Sequence, residues 1–248
     1  MTAGLQPGAQ GFEPGAAVYE TSRPSYPPDA VASMVERLGI ESSSRVVDLA
    51  AGTGKFTRLL PGRVIAIEPI EGMRRQFVSA VPGVPVVAGV AEAIPLAAES
   101  IDAVTVAQAF HWFDADRALA EIRRVLRPGR RLGLVWNRRD ESVAWVRRLR
   151  DLLEPYEGLT PREWRRRWLR PEWIDTGFTG LEEAEFTHDQ KLDADGLCGR
   201  VASISFIAAL EESEREGLLT QVRELVAGFS ESFVLPYRTA VYWCSKRS

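Results

Sequence analysis

The stretch VVDLAAGTG, residues 46–54, decides how this chain folds. Its apolar start predicts a buried strand over residues 45–49 that contains a carboxylate, and its small residues predict a tight loop that opens a helix. In open α/β sheets, ligands bind at the carboxyl ends of the strands, and the amide groups of a helix N-terminus favour a negatively charged ligand. The stretch therefore predicts a ligand site at the end of a buried parallel strand.

A second acidic residue points to the kind of ligand. Glu68 follows the next predicted strand, 20 residues after Asp48. An acid at this spacing can accept hydrogen bonds from both hydroxyl groups of a ribose. The loop and Glu68 together predict a nucleoside cofactor.

Two common nucleotide motifs fit the loop poorly. A phosphate-binding P-loop requires Gly-x-x-x-x-Gly-Lys-Ser/Thr, but the chain has Leu49 at the first glycine and Phe56 at the hydroxyl position. A dinucleotide fingerprint that starts at Gly52 has Thr57 where a glycine or alanine should pack against the sheet.

Short apolar runs alternate with helical segments on both sides of the loop. We predict strands over residues 45–49, 64–67, 85–88, 101–107, 131–136, 178–187 and 233–243. Continuous apolar strands separated by helices are typical of a parallel sheet that is covered on both faces. We therefore expect a doubly wound, Rossmann-like α/β sheet, mostly parallel, with an antiparallel C-terminal strand and a helical cap.

We expect one domain over residues 1–248. Its predicted parts are a disordered tail (1–11), an N-terminal cap and helix (12–43), a cofactor-binding core (44–137), a helical cap insertion (138–177) and a C-terminal completion of the sheet (178–248).

Composition restricts the partners. The net charge of −3 provides no positive field for nucleic acid, so no nucleic-acid partner is expected. The two cysteines do not suggest a disulfide framework, and neither a secretory leader nor a membrane-length apolar run is visible. We expect a cytoplasmic protein without membrane association, and the sequence leaves its oligomeric state open.

The motifs, taken in order, resemble those of the class I S-adenosylmethionine-dependent methyltransferases. The first family motif is an acidic residue, one further position, and Gly-x-Gly-x-Gly. Asp48, Gly52 and Gly54 match it, while Ala50 replaces the first glycine. Later segments that resemble family motifs are 67–69, 89–96, 108–113 and 124–130, so the resemblance covers about residues 40–140.

A narrower resemblance rests on two short segments. The aromatic strip that contains Tyr19, Arg23, Pro24 and Tyr26, together with the His111-Trp112 pair, looks closest to the small-molecule branch that includes the trans-aconitate methyltransferases. This likeness implies a small-molecule methyl acceptor. Apart from His111 the sequence offers no obvious strong base, which favours a carboxylate or another oxygen nucleophile as the reacting group, or catalysis by positioning.

The resemblance implies S-adenosyl-L-methionine as the cofactor, with no metal site. His111 follows the predicted strand 101–107 at the ligand edge of the sheet, and it is interpreted either as a catalytic or substrate-contacting residue or as a structural one. The implied cofactor-binding residues are Tyr19, Arg23, Asp48, Ala50, Gly52, Thr53, Gly54, Glu68, Pro69, Met73, Ala91, Glu92, Gln108 and Ala109. The other histidine, His188, is interpreted as structural.

The chain departs from the family at two positions. Ala50 adds a methyl group where the family has glycine, which we expect to be tolerated if its backbone angles are ordinary. Val90 stands where the family often has an aspartate that bonds the adenine amino group. That bond would then come from Glu92, come from the backbone, or be absent.

Two other functions stay open at this point. One is a catalytically silent module that keeps the nucleoside pocket and regulates a partner, and the other is an NAD(P)-dependent oxidoreductase. In any of these cases, we expect residues 12–26 and 144–173 to cover the strand ends and to recognise the second ligand. Trp164 and Trp168, spaced four apart, fit either an apolar helix stripe or part of that cover.

Overall fold

The computed structural model describes residues 20–157 and 177–247. The strands are β1 (Arg45–Leu49), β2 (Arg63–Ile67), β3 (Val86–Val87), β4 (Ile101–Ala107), β5 (Leu126–Arg139), β6 (Glu182–Leu192) and β7 (Phe233–Ser245). They form one sheet in the order β3-β2-β1-β4-β5-β7-β6. The predicted tail 1–11, the residue Tyr19 and the tryptophans Trp164 and Trp168 lie outside the described residues.

The sheet is parallel from β3 to β5 and antiparallel around β7. Strand β1 lies between β2 and β4, and Leu49 is in register with Ile67 on one side and Val106 on the other. Strand β7 runs antiparallel to both β5 and β6. The predicted fold class is confirmed, and the parallel arrangement brings the carboxyl ends of β1, β2 and β4 to one edge.

Helices flank the sheet on both faces. They are α1 (Pro28–Leu38), α2 (Glu71–Ala80), α3 (Ala115–Val125), α4 (Ala144–Leu153), α5 (Ala194–Ala202), α6 (Ser205–Ala208) and α7 (Glu212–Val226). Residues next to two helix ends cap them: Gly39 ends α1 in a left-handed conformation, and the Asp114 side chain accepts a hydrogen bond from the Arg117 amide at the start of α3.

Each face of the sheet has its own apolar core. On one face, Met34 and Leu38 of α1 belong to a buried cluster that includes Val135 and Val241. On the other face, helix α3 contributes to a buried cluster through Leu119, Ile122 and Val125. A fully buried aliphatic side chain of this size stabilises a fold by about 1.5–3 kcal/mol. These clusters fix the sheet, and therefore the positions of its strand ends.

Several predicted element boundaries were wrong. The predicted strand 131–136 is the middle of β5, which begins at Leu126. The predicted strand 85–88 is reduced to Val86–Val87, and the predicted strand 178–187 is displaced to Glu182–Leu192. Strand β6 lies at the sheet edge with one exposed face, so its apolar signal is weak.

Pro236 lies within β7, although a proline in a strand usually marks an edge or a bulge. Strand β7 is instead the second strand from the edge, between β5 and β6. Pro236 pairs with Asp189 of β6, whereas pairing with β5 begins only at Tyr237 opposite Arg139. The proline therefore lies one residue beyond the β5 pairing, where its carbonyl accepts a hydrogen bond from the Asp140 amide, so its missing N–H falls at the end of the β5–β7 ladder.

A further apolar cluster covers the projecting part of β7. Helices α4, α5 and α7 pack together around Leu235 and Tyr237. The predicted cap comprised residues 138–177 only, but α5 and α7 follow β6 in the chain. The described part of this cover is therefore assembled from two separate stretches of sequence.

Among the described helices, none combines the length and apolar character that crossing a bilayer requires. Residues 20–157 and 177–247 also contain no group of three or more His, Cys, Asp and Glu side chains placed to hold a metal ion.

Candidate functional site

The loop after β1 turns through three left-handed residues. The φ angles are 52° at Ala50, 60° at Gly52 and 84° at Gly54. The condition under which Ala50 was expected to be tolerated, ordinary backbone angles, is therefore not met. A left-handed conformation costs a residue with a Cβ atom about 1–2 kcal/mol, so the surrounding sheet holds Ala50 in a strained position.

The two glycines of this loop face different surroundings. A Cβ atom on Gly54 would overlap the Val81 side chain and lie 2.9 Å from the Phe77 ring. A Cβ atom on Gly52 would have no heavy atom within 4 Å. Gly54 is therefore needed for packing against the end of α2, whereas Gly52 borders open space in which a ligand can approach the backbone.

Asp48 is fully buried beneath the loop. Its Oδ1 atom accepts a hydrogen bond from the Thr105 hydroxyl at 2.8 Å, and its Oδ2 atom accepts one from the Thr57 hydroxyl at 2.5 Å. Burial raises the pKa of Asp48 to about 6, although both hydrogen bonds act in the opposite direction. Asp48 thus ties the loop to β4, and its contact with a cofactor stays a prediction.

Glu68, at the end of β2, lies directly against the loop. Its Oε2 atom accepts a hydrogen bond from the Gly52 amide and its Oε1 atom accepts one from the Ile70 amide, both at 2.9 Å. The side chain is 3% exposed, and burial raises the pKa of Glu68 to about 7 against the lowering effect of these amides. The structure therefore brings together the glycine loop and the acid that the sequence predicted to share a ligand.

An acid that sequence reasoning missed closes the other side of the loop. Glu20 accepts hydrogen bonds from the Thr53 hydroxyl and from the Arg58 guanidinium, both at 2.5 Å. Thr53 is buried, so its hydroxyl is held in place by this contact. Glu20 lies more than thirty residues earlier in the chain, and no local pattern marks it.

The residues predicted on the adenine side surround the end of β2. Met73 is buried in the first turn of α2, and Arg74 donates hydrogen bonds to the Glu68 and Pro69 carbonyls. Ala91 is buried in the core next to α3. The Glu92 Oε1 atom accepts a hydrogen bond from the Asp114 amide at 2.8 Å, so one of its oxygens already serves the start of α3.

The segment after β4 lies at the same sheet edge. Gln108 has a φ of 60°, and its side-chain amide donates a 3.4 Å hydrogen bond to the Asn137 carbonyl at the end of β5. Ala109 is buried, and His111 lies half-buried in the short helical turn Phe110–Trp112, with its ring centroid 4.7 Å from that of Trp112. Arg23 donates two hydrogen bonds to Ser203, so its predicted contact with a cofactor stays untested by this geometry.

A group of polar side chains beyond β4 escaped the sequence analysis. We call it the β5–β7 polar cluster, and it consists of Asn137, His188, Gln190, Arg200, Tyr237 and Thr239. Its members come from three strands and a helix, far apart in the chain. The period-two pattern of β6 places His188 and Gln190 on one face, and this was the only sequence signal that could have linked them.

Comparisons with known proteins agree with this geometry. Residues 47–134 match a family model described as a methyltransferase domain. The chain is 38% identical over 247 residues to an uncharacterised methyltransferase of Mycobacterium tuberculosis, covering 96% of this chain and 97% of that protein. It is also 45% identical over 98 residues to a malonyl-[acyl-carrier protein] O-methyltransferase of Methylococcus capsulatus, covering 36% of each.

A solved structure shows the same likeness over nearly the whole chain. A candidate type II methyltransferase from Anaeromyxobacter dehalogenans superimposes with a TM-score of 0.64 at 25% identity, covering 91% of this chain and 97% of that one. The likeness thus extends beyond the cofactor-binding strands to the antiparallel end of the sheet.

Proposed function

The chain belongs to the S-adenosylmethionine-dependent methyltransferases of class I, and from that membership we propose that it methylates an oxygen atom of a small molecule. The observation that carries the proposal is the contact between Glu68 and Gly52. A buried carboxylate lies 2.9 Å from the backbone amide of a glycine whose open side has room for a ligand.

The residues around this contact fit the cofactor. When bound, S-adenosylmethionine supplies a methyl group that its sulfonium already activates. Glu68 would accept hydrogen bonds from the ribose hydroxyls, and Gly52 would allow close approach to the backbone. Pro69, Met73, Ala91 and Glu92 would line the adenine side, while Asp48, Ala50, Thr53 and Gly54 would hold the loop in shape.

Residues of the protein must also align the acceptor and exclude water. Correct alignment alone can account for about 7–11 kcal/mol of a barrier in favourable cases. We propose that Gln108 and Ala109 contact the cofactor and that His111 acts as the general base or positions the acceptor. A carboxylate acceptor would need no base, whereas a hydroxyl group would.

The oxygen acceptor has support from one relative. The protein of Methylococcus capsulatus that shares 45% identity over part of its length is named as an O-methyltransferase. The trans-aconitate methyltransferase-like branch, a cytoplasmic location and the absence of a nucleic-acid partner stay predictions. Tyr19 lies outside the described residues, and its place in the pocket is likewise a prediction.

Calorimetry and a methyl-transfer screen test the proposal together. We expect S-adenosylmethionine and S-adenosylhomocysteine to bind and NAD and NADP not to bind. A tritiated-methyl screen over carboxylic acids, alcohols, phenols and amines should give labelled product with an oxygen acceptor. Binding without transfer to any acceptor would favour the regulatory module, and binding of NAD or NADP would favour the oxidoreductase.

A further inference from the structure

Helix α5 carries a buried cation that has no carboxylate partner among the described residues. Arg200 is 7% exposed, and its Nε atom donates a 3.0 Å hydrogen bond to the Tyr237 hydroxyl. Its Nη1 atom is buried without a hydrogen-bond partner, and Arg200 forms no ion pair with any Asp or Glu of the described ranges. An arginine stays charged in proteins, and burying an unpaired charge is costly. The contacts of Arg200 with the described residues do not offset the cost of burying its charge.

A second unpaired polar atom lies next to the same tyrosine. The His188 ring stacks on the Tyr237 ring, with centroids 5.2 Å apart and planes 22° apart. Its Nδ1 atom is 3.1 Å from the Thr239 hydroxyl, whereas its Nε2 atom is buried without a hydrogen-bond partner. Arg200 and His188 thus contact one side chain, and each keeps one polar atom unused. Buried polar atoms without partners are rare in native proteins, and each calls for an explanation such as a functional role.

Hydrogen bonds connect this pair to the cofactor edge of the sheet. The Thr239 hydroxyl donates to the Asn137 side chain at 2.7 Å, and Gln108, three residues before His111, donates to the Asn137 carbonyl at 3.4 Å. The pair therefore belongs to the same strand ends as the proposed reaction site.

The segment from Glu20 to Ser22 also contacts both the cofactor loop and the β5–β7 polar cluster. Gln190 donates a 3.0 Å hydrogen bond to the Ser22 carbonyl, and Glu20, two residues earlier, accepts from Thr53 of the cofactor loop. One short segment thus lies against both the loop and the β5–β7 polar cluster.

We propose that Arg200 binds a carboxylate group of the methyl acceptor beside His188. The inference rests on the proposed function, because it assigns the acceptor side of the same site. A carboxylate can accept a hydrogen bond from Arg200 Nη1, and its single charge balances the single buried guanidinium. The Thr239 hydroxyl donates its proton to Asn137, so His188 Nδ1 donates to Thr239 and Nε2 is an acceptor for a hydroxyl or N–H group of the same ligand. Phosphate shares the oxyanion chemistry, but it carries more charge than one arginine offsets.

The test compares acids with their neutral amides on protein saturated with S-adenosylhomocysteine. The probes are acetate, malonate and benzoate against acetamide, malonamide and benzamide, with inorganic phosphate as a further arm. We expect at least one acid to raise the melting temperature and to bind at least tenfold more tightly than its amide. Arg200→Met should abolish this difference, and Arg200→Lys should restore part of it.

Two further variants separate binding from folding. Arg223→Met, on the exposed face of α7, should keep the full preference for acids. His188→Phe keeps a ring beside Tyr237 but removes Nε2, and it should leave the preference for acids in place, because the carboxylate contacts Arg200. All variants should bind S-adenosylhomocysteine like the wild type.

The outcomes distinguish the two proposals. If acids protect no more than amides, if the preference survives in Arg200→Met, or if phosphate outcompetes every carboxylate, the carboxylate site is wrong while cofactor binding still stands. If S-adenosylhomocysteine itself does not bind, the proposed function fails first, and the acid-against-amide comparison can still be made on the protein alone.

Discussion

The cofactor loop and the β5–β7 polar cluster lie at the same edge of the sheet but satisfy their polar groups in opposite ways. Around the loop, the buried carboxylates of Asp48 and Glu68 each accept hydrogen bonds at both oxygens. In the cluster, Arg200 and His188 each retain a buried atom without a hydrogen-bond partner. A loop that is satisfied by its own protein is organised before any ligand arrives, whereas an unsatisfied cluster gains most of its stabilisation from a ligand.

The two regions also differ in how the chain builds them. The loop is continuous in sequence, and Glu68 reaches it from the neighbouring strand in register. The cluster draws on β5, β6, β7 and α5, so it depends on antiparallel pairings between distant segments. We therefore expect substitutions in the loop to change cofactor affinity and substitutions beyond β4 to change acceptor chemistry.

We expect the largest effect, a fall in turnover without a change in cofactor affinity, at His111. His111→Ala should lower kcat by about 100-fold or more, as removal of a general base does, and should leave the Kd of S-adenosylmethionine unchanged. Steady-state kinetics and calorimetry measure the two quantities. A rise in KM that exceeds the fall in kcat would make His111 a positioning residue, and wild-type values of both would remove it from the site.

A matched pair of glycine variants probes the loop itself. Gly54→Ala should lower the free energy of unfolding by about 2–4 kcal/mol, because left-handed strain is added to overlap with Val81 and Phe77. Gly52→Ala should cost only the strain, about 1–2 kcal/mol, but should weaken S-adenosylmethionine at least tenfold. Urea denaturation measures the free energy of unfolding of both variants, and calorimetry measures their affinity for S-adenosylmethionine. Equal losses of stability, with unchanged affinity in Gly52→Ala, would contradict the distinction between the two glycines.

Glu68 should show its role in cofactor affinity. Glu68→Gln should weaken S-adenosylmethionine and S-adenosylhomocysteine alike by about 1.5–3 kcal/mol, the worth of a hydrogen bond to a charged group. Ribose hydroxyls donate better to a carboxylate than to a carboxylic acid, so wild-type affinity should rise as pH increases through about 7, the raised pKa of Glu68. The variant should lack this rise. A loss confined to one of the two ligands would place Glu68 at the sulfonium instead.

The Glu68 carboxyl group should also make the free energy of unfolding depend on pH, and this dependence runs opposite to that of cofactor affinity. Burial raises the pKa of Glu68 from 4.5 to about 7, so the ligand-free native state holds a proton that the unfolded chain has already released. Between these pH values the native state binds more protons, and the free energy of unfolding therefore falls as pH rises. Denaturation at pH 5 and pH 8 should show a smaller fall in Glu68→Gln, and an equal fall would contradict the raised pKa.

The smallest effect is expected at Ala50. Ala50→Gly removes left-handed strain at a φ of 52° but adds backbone freedom to the unfolded chain, so the net gain in stability should be about 1 kcal/mol or less. Affinity for S-adenosylmethionine should not change, because the loop keeps its shape. A loss of stability would show that the Ala50 methyl group contributes more packing than strain.

The sequence by itself determined the parallel part of the sheet and the meeting of Glu68 with the glycine loop. Continuous apolar strands must be covered on both faces, and parallel strands bring their carboxyl ends to one edge, so β1, β2 and β4 could be placed from pattern alone. The cap signals at Gly39 and Asp114 were also local, because helix ends are satisfied by residues next to them.

Only the tertiary structure decided the rest. The strain at Ala50, the contact between Glu20 and Thr53, and the displaced strand β6 all depend on neighbours that are distant in the chain. Arg200 was one arginine among many in the sequence, and only the packing of α5 against β7 buried it beside Tyr237 without a carboxylate. Burial and pairing are properties of the assembled fold, and no local pattern records which charge will be left without a partner.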